Sequence, residues 1–177
     1  MFYSRLVCQI MRMLTPVEDP RIPLLAAKEK LKFHDVRDME LPKNMTALQV
    51  WDEGMQVPIP FLATAFMIRD KVASWFGVKH IGGFSAERPQ RETPIQKGDH
   101  LDFFLVEDIQ PQLLVMTDRD THLDVMTCIS TFDQRLTITS SVVVHNWFGH
   151  VYMLVVGPAH KLIVNAMIRG LKRRLRV

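Results

Sequence analysis

The chain has little of what staples, cleaves or cradles. It has only two cysteines, Cys8 and Cys128, far apart and in no C-x-x-C or Cys/His cluster. That argues against a disulfide framework and a structural zinc site, and it suits free thiols in a reducing compartment. No H-E-x-x-H, P-loop, G-x-S-x-G or G-x-G-x-x-G occurs. The commonest metalloprotease, nucleotide-binding and serine-hydrolase chemistries lose their usual signatures with them. A membrane span needs about 20 apolar residues. The most apolar stretch, Val151 to Ala159, contains Pro158 and runs into His160 and Lys161. The first residues alternate apolar side chains with Arg5, Gln9 and Arg12, so no secretory signal is expected either. The expected location is cytoplasmic, without stable membrane insertion.

Acidic residues are missing from one end. From Ala159 onward there are six Lys and Arg and no Asp or Glu, so the rest carries 16 basic against 19 acidic residues. A mildly acidic body with a basic tail lacks the broad cationic surface of a nucleic-acid binder. No nucleic-acid partner is expected. The tail can touch an anionic partner, lipid or nucleic acid, but its commoner role is a solvated helix face whose cations complement the helix dipole.

What is present is enough for one domain. The 177 residues are 47% hydrophobic, and a chain of this size buries roughly 70% of its unfolded surface. Residues 1–30, broken by Pro16, Pro20 and Pro23, read as an irregular arm. Residues 31–177 read as a single α+β domain. A strand is expected near Lys32–Leu41, with Phe33, Asp35, Arg37 and Met39 on one side. Thr46 is a fitting N-cap for a short helix to Met55. A second helix, Phe61 to Phe76, carries an apolar stripe that ends at Gly77. Gly82 to Asp99 reads as a long surface loop.

Four strands then follow, about Leu101–Glu107, Gln112–Asp118, His122–Phe132 and Arg135–His145. Their connections are too short for crossover helices, so neighbours are antiparallel hairpins. In the last strand Leu136, Ile138, Val142 and Val144 mark a buried face. Arg135, Thr137, Thr139 and Ser141 mark a wet one. Pro158 is expected to divide the apolar Trp147–Val156 segment from a final helix, in which Leu162, Ile163, Ala166, Met167, Leu171 and Leu175 stack on one side.

This order, a helix pair inserted after the first strand, an antiparallel meander and a long closing helix, resembles the helix-grip (START-like, Bet v 1-like) architecture. In it a curved antiparallel sheet grips the last helix around an apolar cavity. At the residue level three stretches carry a likeness. They are Arg69-Asp70 with Trp75-Phe76-Gly77-Val78-Lys79, then Asp118 through Asp124, then His145-Asn146 with Gly149, Tyr152, Pro158-Ala159-His160, Leu162-Ile163-Val164 and Met167. Over about Phe33 to Arg174 the chain resembles a bacterial family labelled domain of unknown function 2867. Similar segments occur fused behind NAD(P)-binding Rossmann domains, which this chain lacks. The resemblance implies a fold and no particular reaction.

Two constellations can carry chemistry. In a strand, residues two apart share a face about 6.5–7 Å from each other. Asp118, Asp120, His122 and Asp124 can therefore hold a cation or poise an acid and a base, with Asp120, His122 and Asp124 the catalytic candidates. The commoner role of Asp near a hairpin turn is to cap backbone amides. His145 and Asn146 end the last strand and His160 follows Pro158. They can bond a ligand at a cavity mouth, or simply satisfy nearby backbone. Candidate lining residues are Phe61, Phe66, Phe104, Met116, Met126, His145, Trp147 and Tyr152, any of which also serves as ordinary core. The expected function is binding of a small apolar molecule between sheet and final helix. The alternatives are a cyclase, dehydratase or hydrolase on the same scaffold, or an interaction module for an oxidoreductase. No cofactor is implied, and a homodimer is compatible with the pattern.

Overall fold

The fold is described from a computed structural model over residues 19–59 and 93–176. The predicted helix Phe61–Phe76, with Phe61 and Phe66, lies outside the described residues. So do the arm up to residue 18 and most of the Gly82–Asp99 loop.

Six strands form one open antiparallel sheet. In chain order they are β1 (Phe33–Glu40), β2 (His100–Leu101), β3 (Phe104–Gln110), β4 (Leu113–Arg119), β5 (Leu123–Ser130) and β6 (Arg135–Val144). Their spatial order is β1-β6-β5-β4-β3-β2. Helix α1 (Ala47–Met55) follows β1, and the long helix α2 (Trp147–Leu175) closes the chain. The meander matches the hairpins read from the short connections. The first of the predicted meander strands is in fact two. Asp102, at φ 59°, turns the chain between Leu101 and Phe104. An Asp in the left-handed region makes a tight turn without glycine, which is why no Gly or Pro marked it.

Alternation along the strands sorts the side chains onto two faces. The front face carries Met39, Val106, Leu114, Met116, Ile129, Leu136 and Ile138, all buried in one core. Helix α1 adds Ala47, Val50 and Trp51 to that core, and α2 adds Val164, Met167, Ile168 and Leu171. Thr46 starts α1 with a capping box: its Oγ1 accepts from the Gln49 N–H at 3.1 Å, and the Gln49 Oε1 accepts from the Thr46 N–H at 2.9 Å. The two helices meet where Gly54 faces Met167. A Cβ there would sit 3.0 Å from the Met167 sulfur. Arg174 clamps the end of the crossing, bonding Glu53 at 2.9 Å and Gln56 at 2.8 Å.

Two expectations need correction. The face of β6 bearing Thr137, Thr139 and Ser141 is not wet: all three are buried. The cause is residues 19–27, which lie against the back of the sheet. Ile22 packs with Leu113, Val115 and Cys128. The Leu25 N–H donates to the Ser141 Oγ, and the Cys128 thiol donates to the Pro23 carbonyl. Arg21 holds this strap down, lying 4.0 Å over the Phe132 ring and bonding Asp19 and Asp133. Burial pushes the Cys128 thiol up to about 12, because a thiolate there would lose its hydration. Cys128 in the native protein should resist iodoacetamide at pH 8 and react fully in denaturant. Peptide mapping by mass spectrometry checks this, and rapid native labelling would show that the strap does not seal the face.

The second correction concerns Pro158, which does not divide the final segment. α2 runs through it from Trp147 to Leu175. A proline removes one N–H and leaves the carbonyl four residues earlier without its helical partner. That residue is Leu154, which is 70% exposed, and Pro158 is exposed as well, so the break falls on the side of α2 away from the core. An unbroken α2 is long and apolar enough, by length and composition, to cross a membrane, with 28% of its most apolar window buried. The core contacts of its second half tie it to the sheet and to α1.

Candidate functional site

The turn into β5, the end of β6 and the start of α2 converge, and this brings His122 and Asp124 of the first group singled out in the sequence to His145 and Asn146 of the second, while His160 lies apart, against Phe33. Asn146 is the N-cap of α2, its Oδ1 accepting from the Gly149 N–H at 3.1 Å. That bond orients the amide, so its Nδ2 donates to the His122 Nδ1 at 2.8 Å and to the Thr121 carbonyl at 3.2 Å. An imidazole accepting at Nδ1 carries its proton on Nε2. The His122 ring also packs edge-on against Phe148 at 4.8 Å, and Phe148 meets Tyr152 at 6.0 Å. His145 pairs through Nε2 with Asp124 at 3.2 Å.

The carboxylates do not gather on one centre. Asp120 accepts from the His122 N–H at 2.8 Å and from the Thr121 hydroxyl at 3.2 Å, which is the work of a turn cap. Asp124 points to the back of the sheet with His145. Among the described residues no group of three His, Cys, Asp or Glu is placed to hold a metal. Replacing Asn146 by Ala removes a cap, worth about 0.5–2 kcal/mol, and strips the His122 Nδ1 of its donor. Chemical denaturation should therefore show a loss of about 1–3 kcal/mol with an unchanged m-value. A loss below a few tenths would mean the junction contributes nothing beyond helix propensity.

The candidate lining residues are scattered. Phe104 packs against Trp51 on the front side, with ring centroids 6.0 Å apart. Met116 is fully buried in the front core. Met126 belongs to the back cluster with Cys128. His145 is engaged by Asp124, Trp147 is 69% exposed, and Tyr152 packs on Phe148. These six do not surround one space.

A different set does converge. β1, β6, β5 and β4 place Asp35, Ser140, Thr127 and Met116 side by side across the front face, since Asp35 pairs with Ser140, Ser140 with Thr127, and Thr127 with Met116. Asp35, Ser140 and Thr127 are all buried. The Thr127 and Ser140 hydroxyls are 3.4 Å apart. Asp35 takes a two-pronged contact from Arg37, from Nε at 3.0 Å and Nη2 at 2.9 Å, so its charge is balanced within the strand. His160 of α2 comes down at the Asp35 end of this row. Its ring meets Phe33 edge-on at 5.5 Å, and its Nε2 is buried with no hydrogen-bond partner among the described residues. Burial, the largest effect, holds its pKa below the ordinary imidazole value. Asp35 works against this, and Arg37 and Lys161 reinforce it. The imidazole is therefore neutral at pH 7. α2 fits closely here: a Cβ on Gly157 would touch the Phe33 ring at 3.4 Å.

In the sequence, Asp35 and Arg37 share the side of Phe33 and Met39. Leu136, Ile138 and Val142 mark the buried face, a set whose parity includes Ser140. Polar residues in core-facing register were the available signal. Recognising them as one row required knowing that β1 pairs with β6.

An open six-stranded antiparallel sheet, backed by a long C-terminal helix over a row of buried polar side chains, defines an α+β protein with a candidate binding face. The chain belongs to the protein-of-unknown-function family DUF2867, whose model matches residues 27–167. No curated protein and no solved structure matches it.

Proposed function

We propose that this protein binds a small, uncharged and mostly apolar molecule between the front of the sheet and α2, in a helix-grip arrangement of the START-like kind. The observation that carries the reading is the His160 Nε2, buried and without a hydrogen-bond partner among the described residues, at the Asp35 end of the polar row that Ser140 and Thr127 continue. A buried polar atom without a partner costs about 1–3 kcal/mol, and a ligand hydroxyl or carbonyl would recover that cost. The surroundings favour a neutral ligand, because Asp35 is already matched by Arg37 and His160 is uncharged. Apolar walls with a few polar groups are the usual make-up of such sites. A cytoplasmic setting suits the free thiol of Cys128. The enzyme alternative is weaker on this geometry, since Asp120 caps a turn and Asp124 faces the other side of the sheet.

Native mass spectrometry of protein purified without detergent tests the reading. The expected spectrum shows an apolar small-molecule adduct that is retained less well in Ser140→Ala and His160→Phe. A lost neutral hydrogen bond of about 0.5–1.5 kcal/mol corresponds to roughly 2- to 10-fold weaker retention. An adduct-free protein, together with no cavity beneath α2 in a crystal structure, would end the proposal.

A further inference from the structure

The side of α2 turned away from the sheet is apolar for half its length and cationic for the rest. Trp147, Val151, Leu154, Val155 and Leu162 recur at spacings of three, four and seven, so they lie on one stripe. All five are large apolar residues left at least half exposed, from 51% for Val151 to 72% for Val155. Contiguous apolar surface of this kind marks an interaction site. From Leu162 the same spacing continues through Arg169, Lys172 and Arg173, and Arg176 follows at the left-handed cap just past the helix, all four exposed. None of these four pairs with a carboxylate among the described residues, whereas Arg174, on another side of the helix, is taken by Glu53. No Asp or Glu occurs anywhere after Asp133, so nothing on this helix offsets the charge.

We propose that this stripe docks on an anionic membrane surface, the apolar half settling into the headgroup–acyl boundary and the cationic half lying on the phosphates. The argument is complementarity in both chemistries at once. Interfacial helices join an apolar face to Lys and Arg, and their affinity adds buried apolar area to attraction for anionic lipid. A second copy of this chain would meet the apolar half well but would offer no negative charge to the other half from its own α2. Because the opposite side of α2 is committed to the core through Val164, Met167, Ile168 and Leu171, the helix lies on the bilayer and does not span it. The inference is independent of any ligand under the helix.

Flotation of the full-length chain with vesicles tests it, using phosphatidylcholine alone and phosphatidylcholine mixed with phosphatidylglycerol. The expected result is flotation with the anionic vesicles only, lost at high salt. Leu154→Asp should abolish it. The triple variant Arg169→Gln, Lys172→Gln, Arg173→Gln should weaken it by roughly a hundredfold, at about fivefold per cation removed. Both variants alter exposed positions and should melt like the parent. The salt titration of the unaltered chain reads the charge contribution even if a variant misfolds. Three results would overturn the proposal: a monomer that ignores both vesicles, flotation that is equal on neutral vesicles and indifferent to salt, or a concentration-dependent dimer that Leu154→Asp takes apart.

Discussion

A chain ending at Pro158 should lose its cooperative melt. The cut removes Val164, Met167, Ile168 and Leu171 from the front core, where Leu171 is fully buried. Burial of four such side chains is worth a gross ~6–12 kcal/mol, at about 1.5–3 each. The whole net stability of a domain is about 5–15 kcal/mol. The loss also uncovers Val50, Trp51 and the inner face of α1, because α1 has its crossing partner at Gly54 and Val57 in this half of α2. No other described element can take that place. Near-UV circular dichroism and calorimetry are the measurements: a broad or absent heat-absorption peak with retained far-UV signal is expected. A sharp transition in the shortened chain would show that the sheet and α1 form a core without α2, and the proposed site would lose its roof. A milder probe, Leu171→Ala, should cost about 2–5 kcal/mol for the same reason.

Gly149→Ala is the second large effect, and it acts through backbone contact. A Cβ at this position would lie 2.5 Å from the His122 carbonyl oxygen and 2.8 Å from the Val144 Cγ1. The oxygen cannot swing aside cheaply, because it already accepts the His145 N–H at 2.9 Å. The Gly149 N–H is itself fixed by the Asn146 cap. The first turn of α2 must therefore move off the end of the sheet, and the His122–Asn146 bond goes with it. Overpacking of this kind costs about 1–3 kcal/mol and occasionally more, and the disturbed cap adds to it. Denaturant titration should show a midpoint well below that of Gly157→Ala, whose Cβ meets nothing closer than the Phe33 ring at 3.4 Å and the Met153 Cε at 3.8 Å. Equal midpoints would mean that the junction absorbs the methyl by a small rotation, and that Gly149 is no constraint on how α2 leaves the sheet.

How far the sequence led depended on which signals were local. The meander was legible because Asp133 and the neighbouring turns left no room for a crossover helix. α1 was legible because Thr46 announces its own start. Pro158 misled, since a proline normally ends a helix, and its tolerance rests on facing solvent, which only the packed helix decides. The back face of β6 misled for a related reason. Thr137, Thr139 and Ser141 are the residues a wet face carries, and only the distant strap around Ile22 makes them interior.

The candidate site shows the same limit. His122, Asp124, His145 and Asn146 stood out as chemistry-bearing residue types, and the fold does bring them to one junction. There they serve largely to cap and to orient. The polar row of Asp35, Thr127 and Ser140 stood out less, because a serine or an aspartate in a strand is unremarkable until its register is known. That register joins residues about a hundred positions apart, beyond the reach of any periodicity.

The pairing of β1 with β6 also sets a timetable for biosynthesis. Phe33 must wait for Val142, and Glu40 for Arg135. At about 5–20 residues per second, the first strand leaves the ribosome roughly 5–20 s before its neighbour among the described strands, β6, exists. Until then its amides lack the β6 ladder, and the charges at Asp35, Arg37 and Asp38 work against that waiting segment joining another chain.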